Sequence, residues 1–550
     1  MTAKESGKGL ENGSTFRPGP DSLRKPFVGT TAQSKMSLMR KTRMRTGTLL
    51  SILGLVAVAF LLLAFPEHAF GRAGGGEGYH GSGGGGGGGG GHGGGGGGGG
   101  GNGGLIWLLF QLVFRYPVVG IPLLIIVIAL FYYYGRNNSS GGGGIVYSHA
   151  PALDATTKAD AIARVRQHDP NFDEAAFYQR VRLAFGKIQD AWSAQKLGTV
   201  RPFISDGVYE RFLLQFAEQK SEGWRDQMDA VQVHDVAVAE LRSDGLYDEL
   251  SVRIRASASD YRVSLADGKP IAGSAAPGQF VEIWSFLRRR GTLTQANRAG
   301  LIEGNCPNCG APVELNQAAN CTHCKALLRS GEYDWVLSEI TQESEWEGAR
   351  HALKPGVEAM RSSDADFNAV EMEDRASVMF WRKATADRLG KIDPLRKVAS
   401  EPFCQTYGPQ LRPAGGGQRS FYGKCAVGSV SLLGVLGDAQ GDRAVVEVRW
   451  TGTLMTAVPG QPPKASAGEQ TVFSLFVLWR QPGSKTDAGK GISSAHCPSC
   501  GAPASGGASN ACDFCGCVLN DGAHGWVLAD VTYRSDNAGQ QLLEELGVGT

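Results

Sequence analysis

The feature that most constrains this chain is a pattern of four cysteines that occurs twice. Each pattern consists of two CxxC pairs separated by eleven residues, and the second copy lies 191 positions after the first. The eight cysteines are Cys306, Cys309, Cys321 and Cys324 in the first copy and Cys497, Cys500, Cys512 and Cys515 in the second. A gap of two residues lets both thiolates of a pair reach one ion at about 2.3 Å, and two such pairs complete a closed tetrahedron. We therefore predict two zinc ribbons, with these eight cysteines as metal ligands and two structural zinc ions as cofactors.

The positions of the cysteines favour metal binding over a disulfide framework. The chain has 11 cysteines and none in its first 305 residues, whereas a disulfide scaffold spreads its cysteines. Unligated or disulfide-paired cysteines are the alternative interpretation. His323, His496 and Cys517 lie beside the ligands and could substitute for one of them. Cys404 and Cys425 have no partner motif, so we expect them to be core thiols.

The similarity between the two copies extends well beyond the cysteines. Upstream of the first ribbon, apolar residues recur about every four positions, as on one face of a helix, and a related set follows 195 positions later. The two sets are Phe172, Phe177, Val181, Phe185 and Trp192, and Phe367, Met372, Ala376, Phe380 and Asp387. A second helical stripe is predicted at 200–212 and again at 395–407. Asp387 stands where the first copy has Trp192, so we expect that helix end to be more exposed in the second copy.

After the helices, both copies change to the alternating pattern of β-strands. Strands are predicted at 231–241, 250–256 and 280–287, and in the second copy at 429–436, 444–450 and 471–479. Trp335 and Trp526 end each ribbon in an apolar strand, where we expect them to pack on the ribbon or on its neighbour. Helices followed by an antiparallel meander predict an α+β fold class, present twice, with each domain followed by a small zinc ribbon.

Two apolar segments near the start of the chain predict attachment to a membrane. A bilayer is spanned by about 20 apolar residues, and residues 47–66 are just long enough for this, whereas 105–135 form a longer second segment. The first segment could instead be a cleaved signal peptide. The basic and disordered segment 1–46 should stay in the cytoplasm, so the Gly-rich linker 67–104 should lie outside. Both interpretations of the first segment place residues 145–550 in the cytoplasm, where thiols stay reduced. We therefore predict a protein of the plasma membrane whose partners include the lipid bilayer.

No catalytic constellation is apparent in the sequence, which contains no P-loop, GxSxG or HExxH motif. Asp260, Tyr261 and Glu282 could line the pocket of a curved sheet, but scattered acidic residues on strands usually form a solvated face. The formal charge of +2 and the acidic residues of both ribbons argue against nucleic acid as a partner. We therefore expect no catalytic residues and no enzyme activity.

Three stretches of the first copy carry a resemblance to a known family. They are the helical region 172–212, the segment EIWSFLRR at 282–289, and the segment LIEGNCPNCGAP at 301–312. In these stretches the chain resembles the bacterial inner-membrane proteins with a Tim44-like domain, relatives of the tethering subunit of the mitochondrial import translocase. The resemblance implies an α+β fold like that of nuclear transport factor two, with a concave pocket, and a tethering role without a reaction of its own. The zinc ribbons are absent from the mitochondrial relative.

The sequence thus predicts a membrane-anchored scaffold or tether of the bacterial inner membrane that works through an unidentified protein partner, linked to protein transport or membrane-protein assembly. The alternative is a small-molecule-binding or enzymatic pocket in the α+β domain. The predicted domains after the second apolar segment are a Tim44-like α+β domain at 145–296, a zinc ribbon at 297–346, a divergent α+β domain at 360–486 and a second ribbon at 487–536.

The two ribbons are not expected to be equivalent. The loop at 505–510 in the second ribbon is rich in glycine and serine, and such a loop loses more entropy when it closes around an ion. We expect a chelator to remove the ion of the second site first. Loss of this site, for example in Cys500→Ser, should disturb only the last residues of the chain.

Overall fold

The computed structural model describes residues 155–548, except 296–297, 314–319, 329, 347, 349–353, 413–416, 488 and 490–492. The predicted segments 1–46, 47–66, 67–104 and 105–135 lie outside the described residues. Within the described part of the chain, no helix combines the length and the apolar character needed to cross a membrane. All described residues belong to one compact unit.

The described chain contains two successive sets of helices and strands. The first set comprises α1 (Ala155–His168), α2 (Glu174–Ala194), α3 (Asp206–Glu222), β1 (Trp224–Asp244), β2 (Tyr247–Ser264), β3 (Pro270–Arg289) and β4 (Val336–Gln342). The second comprises α4 (Val357–Ser363), α5 (Ala369–Leu389), α6 (Glu401–Gln410), β5 (Arg419–Asp438), β6 (Gly441–Ala457), β7 (Lys464–Arg480), β8 (Val527–Tyr533) and α7 (Asn537–Leu546). We call the first set module one and the second set module two.

The helices of the two modules begin at equivalent positions because equivalent residues cap them. The side chain of Asp173 accepts a hydrogen bond from the Ala176 amide at 2.7 Å at the start of α2, and Asn368 does the same at the start of α5. Helices α2 and α5 each have 21 residues, and their bounds differ by the 195 positions found in the sequence. Ser205 and Ser400, also 195 apart, cap α3 and α6 in the same way.

The predicted second helical stripe is only partly correct. In module one, residues 201–203 form a single 3₁₀ turn that contains Pro202, and Ile204 is extended. Ile204 instead forms a β-bridge with Leu337, and α3 begins only at Asp206. The turn buries the apolar residues that precede the helix. The sequence at 200–212 therefore has the apolar spacing of one helix, although the structure has a turn followed by a helix.

Each module contains a four-stranded antiparallel sheet with the strands in sequence order, which confirms the predicted α+β class. The first three strands are 17 to 21 residues long, much longer than the predicted segments. The strands are interrupted by irregularities in register at matching places, for example between Asp229 and Gln232 in β1 and between Gly423 and Ala426 in β5. Such irregularities bend a strand, so each sheet curves around the helices that pack on it.

The position of the ribbons in the sheets differs from the predicted order. Strand β4 comes after the first ribbon and pairs with β3, and β8 comes after the second ribbon and pairs with β7. The predicted ribbon ranges 297–346 and 487–536 each include one of these strands. Each ribbon is therefore inserted between the third and fourth strands of its sheet, and both ends of the ribbon are held by the sheet.

Modules one and two pack against each other through α3 and α5, with buried ion pairs between them. Arg382 on α5, only 3% exposed, donates to Glu210 on α3 at 2.8 Å. Arg242 on β1 donates to both carboxylate oxygens of Glu373 at 3.0 and 2.6 Å. Burial alone would raise the pKa of Glu373, but Arg242 and Lys354 beside it bring the pKa to about 2. The joint between the modules therefore contains paired charges removed from water.

Candidate metal centres

The structure brings the four cysteines of each ribbon together. In the first ribbon, the Sγ atoms of Cys306 and Cys324 are 3.7 Å apart, and those of Cys309 and Cys321 are 3.8 Å apart. In the second ribbon, both corresponding distances are 3.7 Å. Within each group all four Sγ atoms lie within 4.8 Å of one another, and these eight thiols form no disulfides. A tetrahedral ion with bonds of about 2.3 Å needs ligands about 3.8 Å apart, so both groups have the size of a four-thiolate metal site.

Each CxxC pair lies in a tight turn that the backbone holds in place. The amide of the first cysteine donates to the carbonyl five residues later, at 2.8 Å for Cys306 and 2.9 Å for Cys321, and both pairs of the second ribbon repeat this bond. The residue after the second cysteine has a positive φ, and in three of the four turns it is a glycine, for example Gly310 at 79°. Among these four turns, only the one that contains Lys325 has a residue other than glycine in this left-handed conformation. The turns therefore fix the cysteine backbones at the spacing that the sequence requires.

Backbone and side-chain N–H groups point toward the sulfur atoms. The amide of Cys309 donates to Cys306 Sγ at 3.5 Å, and the amide of Ser499 donates to Cys497 Sγ at 3.4 Å. The Asn308 side chain donates to Cys324 Sγ at 3.4 Å. Such donors stabilise the negative charge of thiolates around an ion. The donor set and its surroundings fit a bound metal ion, and no position is left open for a substrate.

The possible substitute ligands lie outside the clusters, which consist of cysteines alone. His323 is exposed, and the Cys517 thiol donates to the Val518 carbonyl at 3.5 Å. His496 is hydrogen-bonded through Nδ1 to Asp206 at 2.9 Å. The cysteines predicted to be core thiols, Cys404 and Cys425, are 4% and 3% exposed, which confirms that prediction.

The first ribbon is part of the core of module one. Its apolar residues belong to the same cluster as the helices and the sheet, and these include Leu301, Ile302, Cys306, Cys321 and Leu328. Arg180 on α2 donates to Glu303 at 2.9 Å and to Asp334 at 2.9 and 2.6 Å, so one guanidinium holds both ends of the ribbon. Lys187 donates to the Ile302 carbonyl at 2.6 Å. The folding of this ribbon and the folding of module one are therefore coupled.

The second ribbon is attached differently. Its buried residues form a small core of their own, which consists of Cys497, Ala502, Ala504, Cys512 and Leu519. Arg375 stands where module one has Arg180, but Ser494 and Gly525 replace the two carboxylates. Arg375 instead pairs with Glu371 of its own helix at 3.1 Å and donates to the Trp526 carbonyl at 3.3 Å. Lys397 adds an ion pair with Asp513 at 2.6 Å. The expected difference between the two ribbons thus has a structural basis.

The second ribbon also contacts module one. Asp206, the first residue of α3, is fully buried and accepts hydrogen bonds from the Ala495 amide at 2.8 Å and from His496 at 2.9 Å. On the neighbouring helix α5, Asp374 accepts a hydrogen bond from the Ser494 hydroxyl at 2.5 Å. The second ribbon therefore lies at the joint between the modules, so its loss is expected to affect more than the end of the chain.

A buried polar network, repeated in both modules, connects each ribbon strand to the helices. In module one, Arg288 donates to Asp169 at 2.9 Å and lies over the Trp335 ring at 4.3 Å, and Thr294 donates to the same carboxylate. In module two, the corresponding residues are Arg480, Asp364, Trp526 and Thr486. Trp335 and Trp526 are each 2% exposed, which confirms that they pack inside the fold.

No local pattern in the sequence predicted this network, because its members are far apart in the chain. The signal was present in the repeat, since the aspartates are separated by 195 positions, the arginines and threonines by 192 and the tryptophans by 191. Each of these polar residues recurs at about the same offset as the core residues close to it in the sequence. An aspartate and an arginine that recur in this way indicate a buried ion pair, because charged residues on the surface have no need to recur with the core.

Removing the arginine of this network is expected to destabilise module two strongly. Arg480→Met leaves the Asp364 and Asp442 carboxylates without their partner, which costs about 3–5 kcal/mol of unfolding free energy. Urea unfolding followed by circular dichroism measures the loss, and the matched variant Arg288→Met should destabilise module one instead. A loss below about 1 kcal/mol would contradict the role of this network.

The same network predicts a direction for the pH dependence of this loss. Burial would raise the pKa of Asp364, but hydrogen bonds from Arg480 and Thr486 more than offset it and hold the pKa below its ordinary value. Stability from a lowered carboxylate pKa is complete above the unfolded value of about 3.9 and disappears as the pH falls through the folded value. The difference in the free energy of unfolding between the wild type and Arg480→Met should therefore become smaller as the pH falls into the acid range.

The three residues considered for a pocket in module one serve other contacts. Glu282 is fully buried and accepts a hydrogen bond from Trp284 Nε1 at 2.9 Å. Tyr261 donates to Asp229 at 2.5 Å, and Asp260 is 2% exposed. Their arrangement gives no nucleophile with an adjacent base.

Comparison with known proteins assigns the first α+β domain. Residues 158–299 match the family model of the Tim44-like domain, so this part of the chain is a Tim44-like domain, as the resemblance predicted. Among solved structures, the chain is similar to a protein described as an Ntf2 like protein involved in plasmid conjugation, with 6% identity over 63% of this chain and 93% of that chain. Its TM-score is 0.13. No curated protein matches the chain.

Proposed function

We propose that this protein is a scaffold of the bacterial inner membrane that presents its Tim44-like domain and two zinc ribbons to the cytoplasm and tethers a protein partner there. The observation that carries the proposal is the Tim44-like domain at 158–299, fused to a metal-binding ribbon within one sheet. The apolar segments 47–66 and 105–135 supply the anchors in this proposal, and the Gly-rich linker lies outside the cytoplasm.

The metal sites support a structural role in this scaffold. Four cysteines per site fill a tetrahedral coordination shell, which is typical of structural zinc, whereas catalytic zinc keeps a position for water. Thiolate ligands in a tetrahedral set also fit zinc better than magnesium or calcium, which take oxygen ligands. We therefore assign zinc to both sites, with the function of fixing the ribbons in the two sheets.

The joint between the modules supports a rigid platform. Buried ion pairs such as Arg382–Glu210 require a single geometry, and Arg211 on α3 lies over the Trp381 ring on α5 at 5.7 Å. A platform with fixed geometry suits a protein that holds a partner near a membrane. The class of partner that we propose is a protein of the translocation or membrane-protein assembly machinery.

Photocrosslinking in bacterial cells tests this function with the full-length chain. A photoreactive amino acid is placed at Phe514 in the second ribbon or at Ile271 in β3, because these side chains are 61% and 56% exposed. We expect at least one position to yield a discrete crosslinked protein that depends on illumination. The absence of any crosslinked protein at both positions would refute the scaffold function.

Reporter fusions in the same cells provide the topology control. A reporter that works only in the cytoplasm should be active after Thr550, and one that works only outside should be active within the Gly-rich linker at 83–101. The reverse pattern would overturn the proposed orientation without deciding whether a partner is bound.

A further inference from the structure

Module two contains a cavity of about 790 Å³ between α5, α6 and the concave face of its sheet. Its wall includes helix residues such as Lys383, Asp387 and Tyr407 and strand residues such as Trp450 and Phe476. Pockets for small molecules typically measure about 300–1,000 Å³, so the cavity has the volume of a ligand site.

The cavity exists because module two departs from the packing of module one at three equivalent positions. In module one these positions hold Ile188, Trp192 and Phe212, all at most 1% exposed, and the Trp192 ring lies 5.3 Å from that of Phe212. In module two the same positions hold Lys383, Asp387 and Tyr407. Three large apolar side chains of a core have thus been replaced by polar ones that line a cavity.

A shorter helix enlarges the opening. Helix α3 has 17 residues, and Phe216 in its second half packs on Trp192 at 5.2 Å. Helix α6 has only 10 residues, and Leu411, at the position of Phe216, lies just beyond its end. The end of α5 that carries Asp387 therefore faces the cavity, and its carboxylate is 19% exposed.

Of the charged groups that line the cavity, Lys383 and Asp387 balance each other, and the Arg419 guanidinium donates to the backbone carbonyls of Asp387 and Arg388. Lys383 donates to Asp387 at 2.9 Å, and the Tyr407 hydroxyl donates to the other oxygen of the same carboxylate at 2.5 Å. Burial alone would lower the pKa of Lys383, but the nearby Asp387 carboxylate more than offsets this effect and holds the pKa above its ordinary value. The ammonium is thus already neutralised by a carboxylate, and a ligand need not bring a charge of its own.

The remaining walls are rich in aromatic rings. Trp450 lies at 5.4 Å from Phe380 and at 5.1 Å from Tyr422, and Phe476 lies 6.2 Å from Phe380. The Trp450 indole N–H donates to Ser474 Oγ at 2.9 Å, which leaves the Ser474 hydroxyl hydrogen available to a ligand. Lys383 also has three N–H donors, of which Asp387 takes one.

We infer that this cavity binds an uncharged small molecule with a flat apolar ring system and one hydroxyl or carbonyl group. The aromatic walls contact the ring, and Lys383 or Ser474 donates to the oxygen. Flat rings pack on aromatic side chains in offset or edge-to-face geometry, which a flexible acyl chain does not require. This binding is separate from the proposed tethering of a protein partner.

Equilibrium dialysis of radiolabelled 1-naphthol tests the inference with the full chain in lipid nanodiscs, and empty nanodiscs give the background partition into lipid. We expect saturable binding of one molecule per chain. The combined variant Lys383→Ile, Asp387→Trp and Tyr407→Phe restores the residues of module one and should weaken binding by about tenfold or more. If this variant does not fold, Ala384→Leu, which adds bulk to the same wall, takes its place.

The controls distinguish the ligand classes. Asp190→Asn, at an exposed position on α2, should bind 1-naphthol like the wild type. Naphthalene-1-sulfonate tests the charge, and octanoate tests an acyl chain. Tighter binding of either competitor than of 1-naphthol would overturn the proposed ligand class. An absence of saturable binding, or wild-type binding by the filled variants, would overturn the site itself.

Discussion

Replacing Cys309 by serine is expected to release the metal of the first ribbon and to unfold module one with it. Metal binding by four thiolates supplies on the order of 10 kcal/mol of folding free energy, which is comparable to the whole stability of a domain at about 5–15 kcal/mol. The first ribbon shares the core of module one through Cys306, Cys321 and Leu328. Loss of its ion therefore removes support from the helices and the sheet together.

Cys500→Ser is the matched control. Cys309 and Cys500 occupy equivalent positions in the two cysteine clusters, and both are exposed, so neither substitution leaves a large cavity and both are expected to report the loss of metal. We expect each variant to hold one zinc ion in place of two, as measured by atomic emission. Far-UV circular dichroism should show a large loss for Cys309→Ser and a smaller one for Cys500→Ser, because the second ribbon has a separate small core. A Cys309→Ser protein that keeps two ions or a native spectrum would refute this account.

The sequence predicted the two clusters of four cysteines and the presence of two α+β modules because both depend on short, repeated patterns. The CxxC spacing is local, and it needs no knowledge of the fold to place Cys306 or Cys497 in such a cluster. The alternation of apolar residues likewise located part of each of the first three strands of both sheets. The ends of the strands escaped prediction because stretches such as 224–230 and 270–279 mix polar and small residues without strict alternation.

Features that depend on long-range pairing could not be predicted from these patterns. Strand β4 is only seven residues long and follows the ribbon directly, so its apolar alternation was assigned to the ribbon, whereas the structure pairs it with β3. Asp387 was predicted to mark a helix end that is more exposed than in module one, and its side chain is 19% exposed where Trp192 is 1% exposed. The exposure is toward a cavity, where Lys383 and Tyr407 bind the carboxylate, and the sequence did not predict these partners. A single polar residue in an apolar stripe indicates a change in packing, and the partners that decide its role come from other elements.

The position of Asp206 shows why the second ribbon matters to both modules. Its carboxylate is fully buried, and it accepts hydrogen bonds from Arg201 on one side and from Ala495 and His496 on the other. The contact joins residues nearly 300 positions apart, which no local pattern in the sequence could reveal. It also revises the expectation that damage at the second ribbon stays within the last residues of the chain.

Asp206→Ala is therefore expected to loosen the joint between the modules and to lower the free energy of unfolding by about 3–5 kcal/mol. The substitution leaves the half-buried Arg201 guanidinium and the Ala495 and His496 donors without the Asp206 carboxylate as acceptor, and an uncompensated buried group costs far more than a lost surface contact. Asp206→Asn keeps one acceptor oxygen and should lose less. Hydrogen exchange should increase at the amides of α3 and of the second ribbon, while Asp190→Asn leaves both unchanged.

A double-mutant cycle separates this role from a local defect in α3. If the second ribbon docks through Asp206, the Cys500→Ser variant has already lost the partner of Asp206, so adding Asp206→Ala should cost less than it does in the wild type. Coupled neighbours typically show interaction energies of about 0.5–3 kcal/mol, whereas independent sites add within about 0.5 kcal/mol. Simple additivity of the two substitutions would mean that Asp206 stabilises only its own helix, and the second metal site would then have no influence on module one.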